Sequence, residues 1–338
     1  MAEINLYFLV ISSIGFDLLI GDPEFLLHPV QVIGVYVKSI STLLIDKFKN
    51  NNNILTMGGF FISISTILIS FFIGKLIEFK LYQSEVYSIF VIFMFLGLSS
   101  CIASRSLISN VKEISNLIGK KYKDENSLPL IRQKVQRIVS RDVSCSDLNH
   151  LLRSATESLT ENAIDGIFGP LFWIFVGAIS LKNSIFLPGP LSLGFSYKAI
   201  STLDSMIGYK NGHLKYLGFF SAKIEDFATY LPSRLVAITL PLVSSKIISY
   251  KNILEKVFSD GRKYESPNAG ISQAIFAYIV NIQLGGKNIY PNGITVKPKI
   301  NFKGAQCSNY AIDQICSLII RLELTWIIIF TLIFFKIK

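Results

Sequence analysis

Three stretches of this chain stay apolar long enough to cross a lipid bilayer, and that restricts its fold more than any other feature. They are Asn53–Leu76, Tyr82–Ala103 and Leu318–Phe335, each near the roughly 20 residues a helical span requires. Ile4–Ile20 makes a fourth, with Asp17 near its end. Ile164–Leu181 and Ala228–Ile248 are weaker, because each contains proline and the second carries Arg234. Composition agrees: 51% of residues are apolar and only 17% charged, against about 25% charged in a soluble domain. The expected class is all-α, a multi-spanning helical integral membrane protein with polar helical and loop segments between spans.

The first segment lacks a basic n-region, and no small-x-small cleavage site precedes Gly21-Asp22-Pro23-Glu24. It reads as a retained span or half-span rather than a signal peptide. Cys101, Cys145, Cys307 and Cys316 show no CxxC pairing, which argues against a zinc site and gives no reason for a disulfide. The net charge of +10 is uneven: residues 105–163 hold ten Lys/Arg against seven acids, and 246–317 hold nine against four. Basic excess beside spans marks the cytoplasmic side. No aromatic-interleaved basic stripe suggests nucleic acid; anchoring in the membrane plus an anionic substrate accounts for the charge.

Polar connections alternate with the apolar stretches, and no internal repeat is visible. Val111–Ile118 and Leu130–Val139 are amphipathic, separated by a charged break at Lys120–Pro129. A helix should begin near Ser146-Asp147, where either side chain can cap it. Ile289–Lys303 suggests a small hairpin. The polar parts are too interleaved with spans to stand alone, so residues 1–338 count as one domain with spans near 4–20, 53–76, 82–103, 164–181, 228–248 and 318–335.

Chemistry concentrates in the interruptions. In ESLTENAIDGIFGPLFW (157–173), Glu157, Glu161 and Asp165 are spaced i, i+4, i+8 and share one drifting helix face. Like charges at that spacing cost about 0.2–0.5 kcal/mol per pair in water. A solvated face leading into a span explains them blandly; otherwise they need a cation, from Lys/Arg elsewhere or a metal. Asp17 inside an apolar run is costly unless paired. Arg141 and Asp142 are adjacent, so they cannot share a helix face and should serve different partners. Residues 208–235 carry Tyr209, Lys210, Asp226 and Arg234, and the last favours an anionic partner. DGRKYESPNAG (260–270) sets Arg262 and Lys263 beside turn-forming residues, a reasonable phosphate cradle, and 284–288 offers further amides. No Walker, Rossmann or HExxH pattern occurs.

Taken in order, DLLIGDP (17–23) with HPV (28–30), RD (141–142), E-x3-EN-x2-DG-x3-PLFW (157–173), GYKN (208–211), D-x3-YLPSRL (226–235), D-x-RK-x2-SPNAG (260–270) and LGG (284–286) form a specific set. The chain resembles the adenosylcobinamide-phosphate synthase family of cobalamin biosynthesis (CbiB/CobD) along essentially its whole length. It departs at Val143, where a Thr commonly follows the Arg-Asp, and at Ile271-Ser272, where a Trp-Pro pair often follows SPNAG.

The resemblance implies a multi-pass enzyme of the cell membrane. It would join a propionate carboxylate of adenosylcobyric acid to the amine of (R)-1-amino-2-propanol phosphate or a related amino-alcohol. ATP as co-substrate and Mg²⁺ are implied, as is possible association with other cobalamin-biosynthesis proteins. By position in the blocks, Glu157, Glu161 and Asp226 are candidates for catalysis, and Asp22, Asp142 and Asp165 for metal. His28, Arg141, Asn162, Tyr209, Lys210, Arg234, Arg262, Lys263 and Asn268 are candidates for holding substrate and phosphate. The polar blocks should share the cytoplasmic face, with proline-broken helices allowing the return. A transporter of an anionic metabolite is the rival from another class, favoured by Asp17, Arg234 and the interrupted spans.

Overall fold

A computed structural model describes residues 2–21, 29–83, 87–121, 127–209, 212–244, 250–290 and 293–336. The chain is 79% helical, as its apolar runs require, and is a multi-spanning membrane protein. Four stretches are long and apolar enough to cross a membrane: Asn52–Leu81, Ser88–Ile118, Leu148–Asn183 and Asn309–Lys336. Asn5–Leu19 is a shorter apolar helix. The calls at Asp22, His28 and Lys210 lie outside the described residues.

The elements are α1 (Ala2–Leu19), α2 (Pro29–Phe48), α3 (Asn52–Gln83), α4 (Tyr87–Ser99), α5 (Ser104–Lys121), α6 (Ser127–Gln136) and α7 (Leu148–Ala163). Then come α8 (Gly169–Asn183), α9 (Pro190–Ile207), α10 (Leu214–Leu217), α11 (Phe219–Thr239), α12 (Tyr250–Gly261) and α13 (Pro267–Val280). A hairpin of β1 (Leu284–Tyr290) and β2 (Gly293–Ile300) precedes α14 (Asn309–Lys336). The chain forms two compact units: Met1–Arg105 with Asp165–Tyr230 and Lys336–Lys338, and Ser106–Ile164 with Leu231–Phe335.

In the first unit α3 packs along α9, and α8 along α9. Gly74 makes the first contact possible: a Cβ there would lie 2.6 Å from Ser192 Cα. Glu78, fully buried on the apolar α3, caps α9 from across the contact. Its carboxylate accepts the N–H groups of Leu191 and Ser192 at 2.8 Å each and of Gly189 at 3.1 Å. Asp17 is likewise buried and paired, its Oδ2 accepting the Ser104 N–H at 2.8 Å.

Two prolines, Pro170 and Pro232, follow one rule. Pro170 has no N–H to give the Gly166 carbonyl, and the chain there forms a π-helical turn, Ile164–Phe168. The Ala103 N–H takes up that carbonyl at 2.9 Å. Pro232, inside α11, likewise leaves the Ala228 carbonyl without its helical donor, and Trp173 Nε1–H supplies one at 3.1 Å. The expected span Ala228–Ile248 is not one continuous helix, since α11 stops at Thr239 and a 3₁₀ turn, Leu240–Val243, follows.

In the second unit α7 starts where capping chemistry predicts, with Asp147 Oδ1 accepting the His150 N–H at 2.8 Å. Ser266 caps α13, Pro267 opens it, and Asn281 closes it in the left-handed region at φ 61°. The α13 helix lies against α7, where Ser272 Oγ donates to the Thr160 carbonyl. The hairpin begins earlier than its sequence suggests. Its register shifts between Leu284 and Gly286, a bulge at Gly285 with φ 82°.

Candidate functional site

The second unit gathers a buried ionic cluster around Glu157. This carboxylate is fully buried on α7, and its Oε2 accepts from Arg141 Nη1 at 2.6 Å. The bulge turns the Gly285 N–H out of the hairpin ladder, and it donates to Glu157 Oε1 at 2.8 Å. Arg153, one helical turn earlier, places Nε 3.7 Å from the same oxygen. A Cβ on Gly285 would strike the Pro298 carbonyl oxygen, so this position needs glycine for space as well as for φ. The cation that the carboxylate stripe demands is therefore present twice.

Arg141 is held from its backbone. Gln136 Nε2 donates to the Arg141 carbonyl at 2.9 Å, and the Asp142 N–H donates to the Ile289 carbonyl at 2.8 Å. The adjacent Asp142 carboxylate turns the other way. Its Oδ1 accepts the Ser144 N–H at 2.9 Å, a bond that lowers its pKa below the usual carboxylate range.

Glu161 lies one turn beyond Glu157 and is half-buried. Gln273, fully buried on α13, donates Nε2–H to Glu161 Oε2 at 2.8 Å. Tyr264, nearly buried, links the groups electrostatically. Burial raises its phenol pKa, the charges of Glu157 and Glu161 raise it further, and Arg141 and Arg153 oppose them. All four ionic groups thus lie within electrostatic reach of one hydroxyl, whose proton is donated to the Pro298 carbonyl at 3.1 Å.

Other candidates occupy neighbouring parts of the same unit. Arg234 Nη1 donates to Ser233 Oγ at 2.9 Å and to Asn268 Oδ1, and Asn268 is buried at the start of α13. An amide and a hydroxyl are thus among the partners of Arg234. Lys263 is exposed and pairs with Asp260 at 2.8 Å; Arg262 beside it is exposed. Asp260 also accepts from Tyr278 Oη at 2.7 Å and the Asn301 N–H at 3.2 Å. Asn162 bonds its own helix, donating to the Ser158 carbonyl at 2.9 Å. Asp165, in the π turn, Tyr209, after α9, and Asp226, on α11, belong to the first unit.

Four participants were not singled out from the sequence: His150, Arg153, Gln273 and Tyr264. Arg153 carried a usable signal, since it sits four residues before Glu157 on the same face. In the sequence, Asn288 stands only as the last residue of the 284–288 run of amides. It proves central: its Oδ1 accepts from Arg141 at 2.9 Å and Arg153 at 3.2 Å, with His150 Nε2 at 3.4 Å.

Among the described residues, no group of three or more His, Cys, Asp or Glu forms a metal cage. Glu157 is committed to Arg141 and Gly285, and Asp142 to its own turn. These two carboxylates do not fit a resident metal.

Comparison with known proteins agrees along the chain. The model of the family described as CobD/Cbib protein matches residues 10–319. A protein of Synechocystis sp. named "Cobalamin biosynthesis protein CobD" is 38% identical over 286 residues, covering 83% of this chain and 78% of its own. A Leptospira interrogans protein of the same name is 36% identical over 310 residues, 90% of this chain and 89% of its own. A third, from Clostridium acetobutylicum, is 31% identical over 329 residues, 96% and 97%. No solved structure matches the chain.

Proposed function

This chain belongs to the CobD/Cbib protein family, with a role in cobalamin biosynthesis, and from that premise we propose that it is adenosylcobinamide-phosphate synthase, an acid–amine ligase of the cell membrane. Its substrates are adenosylcobyric acid and (R)-1-amino-2-propanol phosphate or a related amino-alcohol, with ATP as co-substrate and its loops on the cytoplasmic side.

The chemistry sets the requirements. A carboxylate and an ammonium at neutral pH form a salt, so the acid must be activated and the amine deprotonated. Attack of the propionate oxygen on the terminal phosphate of ATP gives an acyl phosphate and ADP. Attack of the free amine on the acyl carbon then expels phosphate and leaves the amide. The protein must supply a base for the ammonium proton and cations for phosphate oxygens. Glu161 takes the base role, because its partner Gln273 is neutral and leaves it able to accept a proton. Glu157, clamped by Arg141 and the Gly285 N–H, is a positioning residue that holds the cations in place. Mg²⁺, implied by the family, would enter with ATP.

What supports this reading most is the buried meeting of Arg141, Arg153, Glu157 and Asn288 in one compact unit, with Glu161 one helical turn further along the same helix. Incubating the purified full-length chain with adenosylcobyric acid, aminopropanol phosphate and Mg-ATP, followed by mass spectrometry, tests it. Appearance of the amide with ADP is expected; intact substrates after prolonged incubation would overturn it.

A further inference from the structure

We propose that Asn288, Arg141 and Arg153 form a phosphate-binding subsite, with the Asn288 side-chain NH₂ aimed at the bound oxyanion. This rests on the phosphate-using reaction proposed above and assigns its phosphate ester to particular donors.

The orientation of the Asn288 amide is dictated by its neighbours. Guanidinium groups are donors only, so the atom facing Arg141 Nη1 at 2.9 Å and Arg153 Nη2 at 3.2 Å must be the oxygen. The other end, Nδ2, is therefore a donor. Asn288 is fully buried, and among the described residues Nδ2 has no acceptor. A buried NH₂ without a partner is rare in folded proteins and needs an explanation. Here the surroundings supply one.

Charge points the same way. Arg141 and Arg153 share a single contacting carboxylate, Glu157, at 2.6 and 3.7 Å, so two guanidinium groups face one carboxylate at this point. Both Glu157 oxygens are already engaged, by Arg141 and by the Gly285 N–H. Arg153 also gives Nη2–H to the Lys287 carbonyl at 2.6 Å and is partly open, with 23% of its side chain exposed, which leaves a way in. Two guanidinium groups and an unpaired buried NH₂ meet at Asn288. They complement an anionic oxygen, and three separate donor groups suit the terminal oxygens of a phosphate better than the two of a carboxylate.

The test uses the full-length chain in detergent micelles, without corrinoid or ATP, so that it can fail while ligation stands. Inorganic phosphate and acetate are titrated separately by calorimetry. Asn288→Asp keeps the oxygen that the arginines need and replaces the NH₂ with a second acceptor, so the fold has its pairing preserved. Saturable phosphate binding by the native chain, weakened at least tenfold in Asn288→Asp and in Arg153→Gln but kept in Lys263→Gln, is the expected result. Equal phosphate affinity in Asn288→Asp and the native chain would overturn the subsite. So would saturation by acetate alone, or loss of phosphate binding only in Lys263→Gln.

Discussion

Arg141 and Glu157 meet at 2.6 Å in the interior of the second unit, both nearly or wholly out of contact with solvent. A buried pair of this kind is held by compensation, because either charge alone would face a large desolvation cost. Arg153 and the Gly285 N–H complete the compensation for Glu157, and the Asn288 oxygen does so for Arg141.

Removing one partner should therefore cost more than removing both. Glu157→Ala is expected to destabilise the fold by about 3–5 kcal/mol, as when one half of a buried pair is lost. The double variant Arg141→Ala/Glu157→Ala should cost less than the sum of the singles. Chemical denaturation in micelles measures the cycle, and additive losses would show that the two side chains do not interact.

Trp173 and Pro232 provide a second cycle, based on a hydrogen bond that a helix cannot make for itself. Trp173→Phe removes the donor to the Ala228 carbonyl and should cost about 1–3 kcal/mol, the penalty for an unsatisfied buried acceptor. Pro232→Ala restores a backbone N–H four residues on, so it should suppress the Trp173→Phe defect. Thermal melts of the three variants suffice.

Much of this architecture is legible in residue patterns. The long apolar runs give the spans, and Asp147 marks the start of α7 because a short acidic side chain can satisfy an orphan N–H. Arg153 was within reach, since its spacing to Glu157 matches the spacing that exposed the carboxylate stripe. Gln273 and Asn288 were not. They are neutral amides distant in sequence from the groups they touch, and only tertiary pairing gives them a role. The start of the hairpin was hidden by Gly285-Gly286, since glycine disfavours strands unless a bulge needs it. The pairing of Trp173 with a proline-freed carbonyl on another helix has no local signature at all.

Asp260 predicts a feature of the acid limb of stability. Burial works against its charge, but hydrogen bonds from Lys263, Tyr278 and the Asn301 N–H, with the Lys263 charge, outweigh that and hold its pKa below the usual range. A depressed folded pKa means the contribution is present above the unfolded value of about 3.9 and is lost as pH falls through the folded one. Asp260→Asn should flatten the stability profile in that acidic window and leave its shape near neutrality unchanged. Denaturation series run from neutrality into that window measure it.

Cys307 and Cys145 should separate cleanly in alkylation. Burial pushes the Cys307 thiol up to about 11, with the Glu157 charge adding to the shift. At pH 8 only about 0.1% of a thiol with that pKa is thiolate, the reactive form. Cys145 is exposed. Iodoacetamide at pH 8 should label Cys145 first, and peptide mass spectrometry reads the order. Equal labelling of Cys307 would mean that the region beside Glu157 is open.

The proposed division of labour between the two stripe carboxylates is tested most directly by Glu161→Gln. Glutamine keeps the size and the contact with Gln273 but cannot take a proton from the amine. The amide-forming rate should fall by at least a hundredfold, in keeping with general-base catalysis worth about 10²–10⁴, while the melting temperature stays within a few degrees. A Glu161→Gln protein that folds normally and makes the amide at the native rate would contradict the assignment.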